Sequence, residues 1–254
     1  MTDTDPIDPR IQARRILERM ARKGVRSLYL DDATAPVEDA AGPQSSLPPP
    51  QPREAVTMEN TVRDDSSVVE ALEALQAEVA ACTQCALHES RTNTVFGVGT
   101  HRTRVMFIGE APGRDEDLKG EPFVGRAGQL LNKILAAMDL SREEVYIGNI
   151  LKCRPPSNRD PQESEVRCCE SFLKRQIELI RPDFICALGR VSAQWLLQTN
   201  ATLGAIRSGE YYYEGVRVIA TYHPAALLRN SNFKKPCWED MKKLRALIDE
   251  VDAS

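Results

Sequence analysis

From residue 104 onward, continuous apolar runs alternate with stretches in which apolar residues recur every three or four positions. RVMFIGEA (104–111) is apolar up to a glycine turn and reads as a buried strand. GQLLNKILAAMDL (128–140) carries amphipathic helical spacing. SREE (141–144) has the form of a capping box and precedes a second strand, VYIGNI (145–150). A second long helix is predicted over QESEVRCCESFLKRQIELI (162–180), a third buried strand over DFICALG (183–189) and a further helix over SAQWLLQ (192–198). YYYEGVRVIATYHP (211–224) reads as a hairpin arm followed by a last strand, and 236–251 as a closing helix. This alternation predicts an α/β fold, a mainly parallel sheet with helices on both faces. Loops at the carboxyl ends of such strands gather at one edge. GEAPG, NILKC and HPAALLR each follow an apolar strand and should therefore converge.

Before residue 104 the pattern differs. PRIQARRILERMARKGVR (9–26) puts Ile11, Ile16, Leu17 and Met20 on one side of a helix that Gly24 would stop, with six Arg and one Lys elsewhere. It suits a small docking helix or a nucleic-acid arm, and equally a plain surface helix. Residues 31–67, including LPPPQP (47–52), are too poor in apolar residues to offset the entropy of ordering and read as a disordered linker. A helix over VVEALEALQAEVAA (68–81) leads into Cys82-x2-Cys85. The expected organisation is an N-terminal extension, 1–67, and a folded domain, 68–254.

Composition narrows the class. The chain has 254 residues, of which 42% are hydrophobic, enough for a core in one or two domains. No run reaches the roughly 18 uninterrupted apolar residues of a membrane span. MTDTDPIDPR is acidic and has no apolar h-region, so no secretory signal is expected and the expected location is the cytoplasm. Seven cysteines in that setting suggest metal ligation rather than disulfides. The net charge of −4 argues on its face against nucleic acid, but it is unevenly spread. Residues 1–81 carry −6 and residues 82–254 carry +2. Motif loops hold Lys119, Arg126, Lys152, Arg154, Arg159, Arg207 and Arg229, a candidate phosphate-facing set whose alternative is an ordinary solvated surface.

Cys82 and Cys85 can chelate one centre, with Cys153 and either Cys168 or Cys169 completing four thiolates. Both zinc and an iron–sulfur cluster take four thiolates, and the wide separation of the later cysteines mildly favours a cluster. Cys186 lies in an apolar strand and reads as core; Cys237 reads as a free structural thiol. GEAPG places Glu110 on a glycine turn whose exposed N–H groups could hold a water or anion, or simply form a turn. Asn149 ends a strand and offers a donor and an acceptor, the complement of the N3–H and O4 edge of uracil; a turn cap is the alternative. Phe123 sits in a Gly/Pro-flanked loop and could stack on a base or plug the core. His223 precedes Pro224 at a strand end, while His88 and His101 have no comparable setting.

Cys82-x2-Cys85, GEAPGRDED (109–117), PFVGRAGQLL (122–131), NILKCRPPSNRDP (149–161) with Cys169 after it, and HPAALLR (223–229) strongly resemble the family 4 uracil-DNA glycosylases, the iron–sulfur type of the uracil-DNA glycosylase superfamily, over residues 82–250. The resemblance implies a three-layer α/β/α fold around a central, mainly parallel four-stranded sheet. It implies a [4Fe–4S] cluster on Cys82, Cys85, Cys153 and Cys169, which sets Cys168 aside. Glu110 and the main chain at Gly109 and Ala111 would address the water and the base, Phe123 would stack on uracil, Asn149 would read its amide edge and His223 would sit at O2. Leu227, Leu228 and Arg229 resemble the element that enters the minor groove. The implied activity is uracil release from single- or double-stranded DNA, without strand cleavage, in base excision repair. No KRRIH-type insertion follows CRPPSNRD, so covalent trapping is not expected. The competing readings are a non-catalytic DNA-binding module on the same fold and a zinc-stabilised interaction protein. A nucleoid-associated monomer with no membrane contact is expected, its helix 9–26 a candidate for recruiting a replication or repair partner.

Overall fold

A computed structural model of the chain describes residues 65–253. The expected helix over 9–26 and most of the expected linker lie outside them. Asp65, Ser66 and Ser67, expected to close the linker, form the first turn of helix α1 (Asp65–Ala81). There follow α2 (Leu87–Ser90), β1 (Val98–Gly99), β2 (Val105–Gly109), α3 (Arg114–Lys119), α4 (Arg126–Ala137), β3 (Tyr146–Asn149), α5 (Glu163–Ile180), β4 (Phe184–Leu188), α6 (Arg190–Leu197), α7 (Leu203–Arg207), β5 (Tyr211–Tyr213), β6 (Val216–Thr221), α8 (Pro224–Arg229) and α9 (Lys234–Asp252).

The sheet runs β1-β3-β2-β4-β6-β5. Its four middle strands are parallel, as expected. Two short antiparallel edges make it six-stranded rather than four-stranded. β5 is the hairpin arm, turned by Glu214 and Gly215, both at positive φ as a type I′ turn requires. β1 has two residues and follows Gly97 at φ 142°, too short to leave a period in the sequence.

The pleat divides the strands between two cores. Met106, Ile108, Ile185 and Ala187 pack with Leu75 and Val79 of α1, Phe172 and Ile177 of α5 and Leu196 of α6. Val105, Phe107, Phe184 and Cys186 face Leu131 and Leu135 of α4, Leu227 of α8 and Met241 and Leu244 of α9. Alternate residues of each strand serve opposite layers, which is the three-layer arrangement. Leu135 is fully buried, and truncating such a leucine to alanine costs about 2–5 kcal/mol.

α5 opens with a reciprocal cap between Gln162 and Glu165 and ends at Arg181 in the left-handed region, just before Pro182. The capping-box pattern of Ser141–Glu144 closes a single turn instead. The Ser141 N–H donates to Glu144 Oε2 at 2.7 Å, and the chain then enters β3 rather than a helix.

Candidate functional site

The four parallel strands deliver their carboxyl ends to one edge. β2 ends at Gly109, beside Glu110; β3 ends at Asn149; β4 runs into Gly189; β6 stops two residues before His223. Glu110, Ala111, Phe123, Asn149, His223 and Arg229 line one cleft of about 710 Å³. The expected convergence of the three motifs therefore holds. Gly109 lies beneath this lining. A Cβ there would meet Asn149 Oδ1 at 2.4 Å and the Phe123 ring at 2.7 Å.

Phe123 is buried at φ 55°, a strained backbone for an aromatic residue. Several groups hold it there. The N–H groups of Val124 and Gly125 donate to Glu116 Oε1 at 2.9 and 3.0 Å. Arg142, from the turn after α4, donates to the carbonyls of Pro122 and Phe123. Gly128 lets α4 pass the Phe123 carbonyl, which a Cβ would reach at 1.6 Å. Phe123 belongs to the core, as one of its expected readings had it, and also lines the cleft.

Asn149 is 2% exposed. Its main-chain carbonyl accepts from Lys152 Nζ at 2.8 Å. No group among the described residues hydrogen-bonds its carboxamide, which borders the cleft.

His223 caps the N-terminus of α8, where its Nδ1 accepts the Ala225 N–H at 3.1 Å. This short helix replaces the expected loop; Pro224 at its first position supplies the starting φ. Burial, aided by the charge of Arg229, pulls the imidazole down to about 4. It is neutral at physiological pH, and because Nδ1 accepts, the proton resides on Nε2. Glu110 is pushed the other way, up to about 7, first by burial and then by Asp160, with Arg190 opposing.

Leu228 is exposed and Arg229 follows it, but Leu227 is 3% exposed and packs in the core, so only Leu228 and Arg229 remain available to a groove. Three of the seven expected basic contacts are likewise structural. Lys152 is buried. Arg159 pairs with the buried carboxylate of Glu165. Arg207 grips Asp240 through two nitrogens and lies over the Tyr222 ring at 4.8 Å. A buried carboxylate needs such a partner, and the sequence does not show which arginine it takes. Lys119, Arg126 and Arg229 are exposed, and Arg154 is half-buried, bonded to Asn158. Glu116, Arg142, Asp160 and Arg190 act at the site without having been singled out for it. Glu116 and Asp160 carried a signal, their places within GEAPGRDED and NILKCRPPSNRDP; Arg142 and Arg190 carried none.

Cys82, Cys85, Cys153, Cys168 and Cys169 border a second, small space beside α1, α2 and α5. Arg91 donates to Cys153 Sγ at 3.3 Å and to the Cys82 carbonyl at 2.8 Å. The Lys152 N–H donates to Cys169 Sγ at 3.3 Å. Cys168 instead gives its thiol proton to the Gln84 carbonyl at 3.4 Å. Burial pushes the Cys169 thiol up to about 12 and raises Cys85 and Cys153 as well. Cys186 and Cys237 are buried in the other layer, as expected. Among the described residues, no group of three or more His, Cys, Asp or Glu side chains is arranged to hold a single metal ion.

Residues 96–242 match the family model described as the Uracil DNA glycosylase superfamily. The chain is 46% identical over 187 residues to a type-4 uracil-DNA glycosylase of Archaeoglobus fulgidus, spanning 70% of this chain and 94% of that one. It is 42% identical over 183 residues to a type-4 uracil-DNA glycosylase of Thermotoga maritima, spanning 70% and 95%. A type-5 uracil-DNA glycosylase of Pyrobaculum aerophilum is 36% identical over 150 residues, spanning 52% of this chain and 66% of that one.

Proposed function

The chain belongs to the uracil-DNA glycosylase superfamily, and from that premise we propose how its cleft releases uracil. The protein is a DNA-repair hydrolase that cleaves the N-glycosidic bond of uracil in DNA. One observation carries the reading. The unengaged carboxamide of Asn149, the ring of Phe123 and the neutral imidazole of His223 share one cleft at the strand ends.

A base enters such a cleft only after leaving the stack, at least cost from single strands and mismatches, so both single- and double-stranded DNA are substrates. Leu228 and Arg229 enter the minor groove and help expel the nucleotide. Phe123 stacks on the base. Asn149 accepts from N3–H and donates to O4. Cytosine presents the opposite polarity, at about 1–3 kcal/mol per group left unpaired.

As the bond to C1′ breaks, its electron pair moves onto uracil. His223 donates Nε2–H to O2, where charge gathers, a stabilisation of roughly 3 kcal/mol. Its neutrality matters, because a cleft that holds imidazole uncharged down to about pH 4 stabilises the leaving group by hydrogen bonding. Glu110, in its ionised form, orients a water with the main chain at Gly109 and Ala111 and accepts its proton as the oxygen bonds C1′. No lysine lines the cleft among the described residues, and Lys152 has its amine engaged elsewhere, so no Schiff base forms and the strand is left intact.

Cys82, Cys85, Cys153 and Cys169 fit a [4Fe–4S] cluster. Their four thiols border one space together with Cys168, N–H donors point at two of the four sulfurs, and Cys168 is engaged with a carbonyl. The wide separation of Cys153 and Cys169 from the Cys82–Cys85 pair favours a cluster over zinc. When bound, the cluster supplies a structural cross-link between the α1–α2 junction, the segment after β3 and α5. No described helix is long and apolar enough to cross a membrane. We further infer that the protein acts as a monomer at the nucleoid, with residues 9–26 recruiting a partner.

The test is a 5′-labelled single-stranded oligonucleotide with one uracil, incubated with the protein and divided with and without hot alkali. Cleavage only after alkali is expected. No cleavage, with the cluster intact by its absorbance, would point instead to a DNA-binding module.

A further inference from the structure

Lys152 is among the largest fully buried side chains of the described residues and has no part in the chemistry above. Its Nζ donates to the Asn149 carbonyl at 2.8 Å and to Gln176 Oε1 at 2.7 Å. Gln176, itself fully buried, donates onward to the Phe96 carbonyl at 3.0 Å and the Tyr146 hydroxyl at 2.8 Å. The main chain of Lys152 faces the other way: its N–H reaches Cys169 Sγ at 3.3 Å, and its carbonyl accepts the Val95 N–H at 2.8 Å. One residue thus connects the last carbonyl of β3 with the cysteine-lined space.

We propose that Lys152 is a positioning residue, holding the Asn149 peptide so that its carboxamide meets the base edge, and linking that pose to the Cys169 side of the fold. This rests on Asn149 reading the base. The need is physical. Where β2 turns into the glycine loop, the Ile150 N–H donates to the Gly109 carbonyl at 3.0 Å and fixes one side of the Asn149–Ile150 peptide. The carbonyl on its other side takes only the Lys152 amine among the described residues, and without that donor the peptide could tilt about its single hydrogen bond and carry the carboxamide with it. A misplacement of about 1 Å costs on the order of a hundredfold in rate. A mere space-filler at this depth would need no amine, and a phosphate contact would not be buried.

The test is Lys152→Met, which keeps length and removes the donor, compared with the parent protein. Visible absorbance and iron content report the cluster, filter binding reports DNA affinity, single-turnover kinetics report the chemical step, and inhibition by free uracil reports base recognition. The expected result is retained colour, DNA affinity within about twofold, a rate lower on the order of a hundredfold and a parallel loss of inhibition by free uracil. A coloured variant with parental rate and parental uracil inhibition overturns the proposal. If Lys152→Met loses its cluster or precipitates, Tyr146→Phe decides. It removes only the hydroxyl that orients Gln176, and a coloured protein about fivefold slower with weakened uracil inhibition is expected. Parental behaviour of that variant overturns the proposal. A parent that releases no uracil would instead refute the functional reading, so the two failures are distinct.

Discussion

The rings of Phe123 and His223 lie 5.5 Å apart between centroids, inclined at 32°. One residue reaches the cleft from a strained loop held by Glu116, Arg142 and Gly128, the other from the cap of α8. On the function proposed above, a base stacked on the first would present its edge to the second, and this one contact would set both stacking and proton donation. Phe123→Ala should lower kcat/KM for uracil release about tenfold to a hundredfold, since stacking contributes roughly 1–3 kcal/mol per base. DNA affinity should change little, because phosphate contacts dominate it. Steady-state kinetics beside a filter-binding isotherm check both, and a purely additive loss of DNA affinity would speak against stacking.

Glu110 and His223 are displaced in opposite directions, to about 7 and about 4. Glu110 must be ionised to accept a proton from water, so the single-turnover rate should climb through pH 6–7 and level off above 8. His223 is already neutral across that range and adds no limb of its own. Glu110→Gln should flatten the profile at a low rate. A pH–rate series on both proteins checks this, and an unchanged slope in the variant would remove Glu110 from the role.

The same displacement makes a stability prediction. The folded value of Glu110 lies above its ordinary 4.5, so the stability of the protonated form is fully present below about 4.5 and is lost as pH rises through 7. Glu110→Gln should therefore melt higher than the parent at pH 8 and equally at pH 4.5. The gain should be on the order of 1 kcal/mol, because the cleft is open to solvent screening. Melting curves at the two pH values test the sign.

Gly109 offers a test of the cleft floor that spares its polar groups. A methyl there would meet the Asn149 and Phe123 side chains, not the main chain. Gly109→Ala should keep the cluster colour and lose only about 1–3 kcal/mol of stability by overpacking. Uracil release should fall at least tenfold as the carboxamide is displaced. Parental activity would mean that the floor yields and that Asn149 does not depend on it.

The parallel strands and the convergence of their loops were legible because β2, β3 and β4 are apolar runs closed by Gly109, Asn149 and Gly189, and topology does the rest. β1 was not, being two residues, Val98 and Gly99, just after Gly97. HPAALLR hid a helix too short to show a period, announced only by Pro224 and its cap. In Ser141–Glu144 and Gln162–Glu165 alike the glutamate accepts the N–H of the residue three before it, yet only the second pair opens a helix. What a cap encloses depends on burial of the residues after it. Lys152, Arg159 and Arg207 looked like phosphate contacts because charge is visible in a sequence, whereas their buried partners Asn149, Glu165 and Asp240 are joined to them only by folding.

Cys168 and Cys169 are adjacent on α5 and so point about 100° apart, and their surroundings differ accordingly. Cys169 is buried and receives the Lys152 N–H, a donor that favours a ligating thiolate. Cys168 is half-buried and gives its own proton to the Gln84 carbonyl, as a neutral thiol does. Cys169→Ser should therefore lose visible absorbance and bound iron, and with them solubility, because α5 would lose its link to Cys82, Cys85 and Cys153. Cys168→Ser should keep both, with melting temperature and activity near the parent, since a serine hydroxyl can still donate to Gln84. Absorbance and iron analysis of the two proteins, purified side by side without air, make the comparison. A colourless Cys168→Ser beside a brown Cys169→Ser would exchange the two roles and require α5 to turn through one residue.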